Sequence, residues 1–102
     1  MQFDHVALTS KNIKNSVDWY VEHYNATIVY QDDTWAIIEV GGTKISFVIP
    51  TQHPPHICFE VDQSFIEKNL KKNVFKEHRD GSKSCYVKDI DGNFLEFLSW
   101  KS

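Results

Sequence analysis

Apolar and polar residues alternate over positions 3–9 and then change period, which predicts a strand followed by a helix. Over residues 10–24, SKNIKNSVDWYVEHY, Ile13, Val17, Tyr20 and Tyr24 fall on one helical face, and Ser10 is placed to cap the N-terminus. Three strand patterns follow at 26–31, 34–40 and 43–49. Gly41-Gly42 makes a tight hairpin turn between the last two. Pro50 ends the run, and residues 51–55, TQHPP, form a short stiff linker. The same order then returns. Residues 56–61 predict a strand, and 63–73 a helix with Phe65, Ile66 and Leu70 on its apolar side. Strands follow at 74–78, 84–89 and 94–100, with Asp91-Gly92-Asn93 as the last turn.

The return of the pattern extends to residues. Shifted by 50 positions, Trp35-Ala36-Ile37-Ile38-Glu39 falls on Cys85-Tyr86-Val87-Lys88-Asp89. Gly42 falls on Gly92, Ile45 on Leu95, Ser46 on Glu96 and Phe47 on Phe97. Near the starts the shift is 51, and His5-Val6-Ala7-Leu8 falls on His56-Ile57-Cys58-Phe59. The expected fold is α+β, with two tandem βαβββ modules in a single domain over 1–102. The first module covers 1–50, the linker 51–55 and the second module 56–102. A module with one helix covers one face of its sheet, and a second copy is the natural partner for the other face.

Equivalent slots hold the candidate chemistry. The first strands carry His5 and His56, and the last strands carry Ser46 and Glu96. A charged carboxylate in an apolar run is costly to bury unless it is paired or binds a metal. Two imidazoles and one carboxylate form a facial triad for a divalent ion with open positions. A lone histidine on an apolar strand is more often a packed core residue, and a lone strand glutamate more often faces solvent. The joint placement of His5, His56 and Glu96 in the repeat favours metal ligation. His53 could serve as an acid or base or lie in the solvated linker. His23 and His78 show no partner pattern and read as surface. Trp19, Tyr20 and Trp35 read as core or interface, and Trp100 as a subunit contact.

Composition narrows the partners. The 102 residues carry a net charge of −3 with both signs interspersed, which argues against a nucleic-acid surface. Lys68, Lys71 and Lys72 read as the solvated side of the second helix. No apolar run approaches the ~20 residues that span a bilayer. The start, MQFDHVALTS, has neither a basic opening nor a long apolar core, so no secretory signal is expected. Cys58 and Cys85 read as buried thiols, and a cytoplasmic location is expected.

Three stretches, FDHVALTSKNIKNSVDWY, PHICFEV and YVKDIDGNFLEFL, resemble the vicinal oxygen chelate superfamily. That group holds glyoxalase I, methylmalonyl-CoA epimerase, extradiol dioxygenases, fosfomycin-resistance thiol transferases and bleomycin-binding proteins. Its usual ending has a proline where Ile90 stands. The resemblance implies an open, partly closed barrel of the two sheets around a metal site, with His5, His56 and Glu96 as ligands. It also implies one divalent ion per site (Mn, Fe, Ni or Zn), a small-molecule substrate and a homodimer. The modules would pair within a chain or be exchanged between two chains. Glyoxalases and epimerases place a fourth ligand, Glu or Gln, in the slot of Ser46, and serine is a poor ligand there. The three-ligand pattern is closer to the thiol transferases and dioxygenases. The transferases resemble this chain in having a tyrosine at Tyr86 and a lysine at Lys76. Lys76 and Arg79 would suit a carboxylate or phosphonate, or are solvated loop charges. Tyr86 would contact substrate or pack in the core. The transferases' potassium-binding loop and basic tail are not found, so fosfomycin is not the expected substrate. Two functions remain. One is a divalent-metal-dependent enzyme acting on a small oxygen-rich metabolite or xenobiotic by isomerisation, lyase chemistry, thiol transfer or dioxygenation. The other is a non-catalytic, bleomycin-resistance-like protein that sequesters a drug.

Overall fold

The computed structural model describes residues 1–100; residues 101 and 102, the end of the expected second module, lie outside the described residues. The chain is α+β, with eight strands and two helices among the described residues. Their order is β1 (Gln2–Thr9), α1 (Ile13–Tyr24), β2 (Thr27–Gln31), β3 (Trp35–Val40), β4 (Thr43–Val48), β5 (His56–Glu60), α2 (Gln63–Asn69), β6 (Lys76–Glu77), β7 (Ser82–Lys88) and β8 (Phe94–Trp100). Two compact units form: His5–His56, and Met1–Asp4 together with the residues from Ile57 onward.

In the His5–His56 unit the strands lie in the order β2-β3-β4-β1, with β1 parallel to β4 and the other neighbours antiparallel. Helix α1 packs on this sheet. Ile13 and Val17 bury their side chains against Ala36, Ile38 and Phe47. Asn12 caps the helix, its side chain accepting the N–H of Asn15 at 3.0 Å. The expected cap, Ser10, instead shares a 2.6 Å hydroxyl hydrogen bond with Ser16 and is buried. Asn25, in the left-handed conformation, stops the helix. Gly41 and Gly42 both have positive φ, the requirement of a two-residue hairpin turn that other residues meet only with strain.

In the other unit β5, β8, β7 and β6 follow one another. Helix α2 covers one face through Phe65, Ile66 and Leu70, packed with Phe59, Cys85 and Phe97. Asp62 caps it, accepting the N–H of Phe65 at 2.8 Å. The helix ends at Asn69, short of the expected residue 73, because no apolar residue between Leu70 and Val74 extends its buried stripe. Strand β6 is reduced to two residues. Neither row of strands closes on itself. β2 is an edge strand in the one unit and β6 in the other, so each row is open at that side.

The registers correct one part of the repeat alignment. Ile37 faces Ser46 in the first hairpin, and Tyr86 faces Glu96 in the second. With Ser46 and Glu96 as equivalents, Ile37 corresponds to Tyr86, a shift of 49 rather than 50. The cause is the turn. Val40 and Thr43 close on Gly41-Gly42, whereas Lys88 and Phe94 close on the five residues Asp89–Asn93. A one-residue slip in a strand moves every side chain to the other face. Ala36 and Ile38 therefore match Cys85 and Val87, and all four pack toward their helices.

Three turns close on aspartates. Asp32 accepts from the Tyr30 hydroxyl and from Thr34 and Trp35. Asp80 accepts from the hydroxyl and N–H of Ser82, and Asp89 from the side chain and N–H of Asn93. These bonds hold all three carboxyls below their ordinary value of 3.8. A carboxyl depressed in the folded state stabilises it above the unfolded value, and that contribution is lost as pH falls through the folded value. The melting temperature is therefore expected to start dropping near about pH 5 and to go on dropping below about pH 3, through the folded-state values. Asp32→Asn should lower it at neutral pH and shrink the acid-induced loss, a comparison read by thermal denaturation at each pH.

Candidate functional site

Two polar groupings lie on the sheets, one in each unit. In the His5–His56 unit the rings of His5 and His56 meet edge to face, with centroids 5.9 Å apart. His56 is buried, and its Nδ1–H donates to the Pro54 carbonyl oxygen at 2.9 Å. In the neutral ring that bond places the proton on Nδ1 and the electron pair on Nε2. The stiff linker thus does local work, because Pro54 presents the carbonyl that orients the histidine two residues on. Ala7 sits two residues beyond His5 and pairs with Ser46 on β4. Period-two alternation places His5, Ala7 and Ser46 on one face of the sheet. Ser46 is buried. His53 is exposed in the linker turn.

In the other unit Glu96 stands on β8, directly across from Tyr86 on β7. Its neighbours on β8, Leu95 and Phe97, pack toward the helix, so Glu96 and Tyr86 occupy the face that α2 leaves uncovered. Glu96 is half-buried and Tyr86 is 39% exposed. Cys58 on β5 is fully buried. Burial pushes its thiol well above the ordinary range, and the carboxylate of Glu96 adds to this through its charge and a side-chain hydrogen bond; Asp4 and Glu60 push the same way. Burial followed by the charge of Glu96 also raises Cys85 and Tyr86. Both thiols are free and protonated, and the Tyr86 phenol holds its proton.

Lys76 and Arg79 are exposed. Lys76 pairs with Ser84, which lies two residues from Tyr86, so Lys76, Ser84, Tyr86 and Glu96 share one face. Arg79 lies in the turn between β6 and β7 and belongs to no strand. His78, expected to be a surface residue without a partner, has its Nε2 2.8 Å from the hydroxyl of buried Ser84. His23 likewise donates to the Trp19 carbonyl at 2.8 Å and stacks on its indole. Sequence reasoning passed over Cys58, which lies beside Glu96, and Asp4, whose charge also acts on Cys58. Alternation alone could have flagged Cys58, which follows His56 by two residues on the same strand.

No family profile and no curated protein matches the sequence. Solved structures do match. A glyoxalase/bleomycin resistance protein/dioxygenase superfamily member from Vibrio splendidus 12B01 shares 14% identity at a TM-score of 0.69, over 93% of this chain and 96% of that one. The methylmalonyl-CoA epimerase of Mycobacterium tuberculosis shares 14% at 0.76, over 99% and 89%. A protein from Legionella pneumophila described as an NAD-dependent benzaldehyde dehydrogenase shares 16% at 0.66, over 94% and 97%. The chain has the fold of the vicinal oxygen chelate superfamily. The proteins of like fold carry different activities in their names, so the fold does not fix the reaction.

Proposed function

We propose that this protein is a divalent-metal-dependent enzyme. Its substrate is a small oxygen-rich metabolite or xenobiotic, bound to the ion through neighbouring oxygens. His5, His56 and Glu96 supply a donor set suited to Mn, Fe, Ni or Zn. The observation that carries the reading is the bond from His56 Nδ1–H to the Pro54 carbonyl. Ligand histidines commonly donate their second N–H to a carbonyl in this way, which orients the ring and keeps the other nitrogen an electron-pair donor. Glu96, on a sheet face without a helix, is the matching anionic ligand. When bound, the ion would act as a Lewis acid toward substrate oxygen. Tyr86, which holds its proton, offers an O–H to substrate beside Glu96. Lys76 and Arg79 offer positive charge to an anionic group.

Metal analysis of the chain purified without an affinity tag tests this. Close to one transition ion per chain is expected. Protein that stays metal-free after growth with each candidate ion, yet retains a drug such as bleomycin, would favour the sequestering alternative.

Ser46 yields a separate prediction. It shares a face with Ala7 and His5, so a longer acid there would reach toward the imidazoles. Ser46→Glu is expected to strengthen metal retention in chelator competition by roughly tenfold, about 1.4 kcal/mol. The unmodified chain is expected to show no isomerase turnover of the methylglyoxal–glutathione adduct. Unchanged retention in Ser46→Glu would place residue 46 away from the ion.

A further inference from the structure

The repeat sets two pairs of side chains next to each other. In the His5–His56 unit Ala7 on β1 pairs with Ser46 on the parallel strand β4, and just past this pairing the Ser10 N–H donates to the Val48 carbonyl at 2.8 Å. In the other unit β5 neighbours β8, and the Val61 N–H donates to the Leu98 carbonyl, again at 2.8 Å. Val61 follows Ser10 by 51 residues and Leu98 follows Val48 by 50, the two shifts of the repeat. The register of β1 on β4 therefore carries over to β5 on β8. It sets Cys58 beside Glu96, as Ala7 stands beside Ser46. Alternation agrees: Phe59 packs with the α2 cluster, so Cys58 takes the opposite face, which is the face of Glu96. Where the first unit pairs a methyl group with a hydroxyl, the second pairs a thiol with a carboxylate.

We infer that Cys58 is a positioning residue, whose S–H donates to one oxygen of the Glu96 carboxylate and leaves the other to the ion. The inference rests on the ligand role proposed above for Glu96. The thiol is free and fully buried, and it is hydrogen-bonded to that carboxylate. The carbonyl oxygen of Phe59 is the other acceptor, but it is neutral and 4.0 Å away, a poor competitor for the proton. Asp4 and Glu60 act on the thiol through their charge. A carboxylate has room for several donors, so one hydrogen bond does not exhaust it. Carboxylates that hold a metal are themselves hydrogen-bonded, and removing such a support commonly costs about 10–100-fold in affinity. A thiol is a weak donor. It can fix the orientation of Glu96 while drawing little of the negative charge that a divalent ion would use, which a lysine or arginine in this place would not do.

Two measurements on the full chain test this. The first needs no metal. In chelator-treated protein the S–H stretches of Cys58 and Cys85 fall in an otherwise empty region of the Raman spectrum, and Cys58→Val identifies its own band by removing it. Glu96→Gln should move the Cys58 band to higher frequency, the direction of a weakened hydrogen bond, and by more than it moves the Cys85 band. The second is nickel(II) retention in chelator competition. Cys58→Val fills the site without a donor and should lose roughly 10–100-fold, whereas Cys58→Ser keeps a donor and should stay within roughly threefold of the unmodified chain. Thermal melts should rank the same two variants the other way, because burying a hydroxyl costs more than burying a methyl group. A purely structural role would give one order in both assays. An unmoved Cys58 band in Glu96→Gln would overturn the inference. So would nickel retention in Cys58→Val as good as in Cys58→Ser, or a thiolate-to-nickel charge-transfer band that Cys58→Ser abolishes, which would make Cys58 a ligand. An unmodified chain that holds no ion defeats the enzyme reading instead, and the Raman band then decides the hydrogen bond by itself.

Discussion

Replacing Glu96 by glutamine is expected to cut metal affinity at least about 100-fold while the far-UV spectrum stays native. Glutamine keeps the length and one oxygen but removes the charge, and a neutral amide is a far weaker ligand for a divalent transition ion. The fold should survive because Glu96 lies on the face opposite the apolar cluster of Phe97, Leu95 and Phe65. Removing the charge also relieves the crowd of acids near Cys58, so no stability is expected to be lost there. Tyr86→Phe is the control. It removes the neighbouring hydroxyl without touching a proposed ligand and should leave metal content unchanged. Full occupancy in both Glu96→Gln and His56→Ala, measured by metal analysis after dialysis, would sink the ligand assignment.

The largest effect on stability is expected from Ile38→Ala. Ile38 lies on β3 and is fully buried, as is Val17 of the covering helix. Deleting three carbons at such a site loses their transfer energy and leaves a cavity, together about 3 kcal/mol. For a chain of this length that lowers Tm by roughly 12–20 °C. Ile37→Ala, one residue earlier on the other face and only half-buried, should cost clearly less. Equal losses in a thermal melt would contradict the register that separates the two faces.

The element order was legible because the period of the apolar residues changes cleanly between strand and helix. The Gly41-Gly42 turn was legible because both positions need positive φ. Other features depend on choices among near-equivalents. Ser10 and Asn12 are both good caps, and the buried hydroxyl pair of Ser10 with Ser16 decides between them. The end of α2 and the shrinkage of β6 follow from how little apolar surface residues 71–77 can bury. The single-residue offset between the hairpins was hidden because Gly42 and Gly92 align by type while their turns differ in length. Trp19 and Trp35 read as core or interface, and at 46% and 38% exposed they are not core. Side-chain partners such as Ser84 for His78 come from cross-strand placement that no local pattern encodes. The His5, His56 and Glu96 set was picked out by comparing slots of the repeat.

The unequal hairpin turns also bear on how the chain could be recombined. A hybrid that continued from Glu39 of the first half directly into Ile90 of the second would follow the shift of 50 through the turn. It would lack one residue of the loop that Lys88 and Phe94 close. The strand after the splice would then have to slip or rebuild its turn, and the slip would send Glu96 to the side that Phe97 now fills. Joining Glu39 to Asp89 keeps the five-residue loop and the facing of every later side chain. The two halves are therefore interchangeable parts only when cut according to strand pairing, not according to the letters that match.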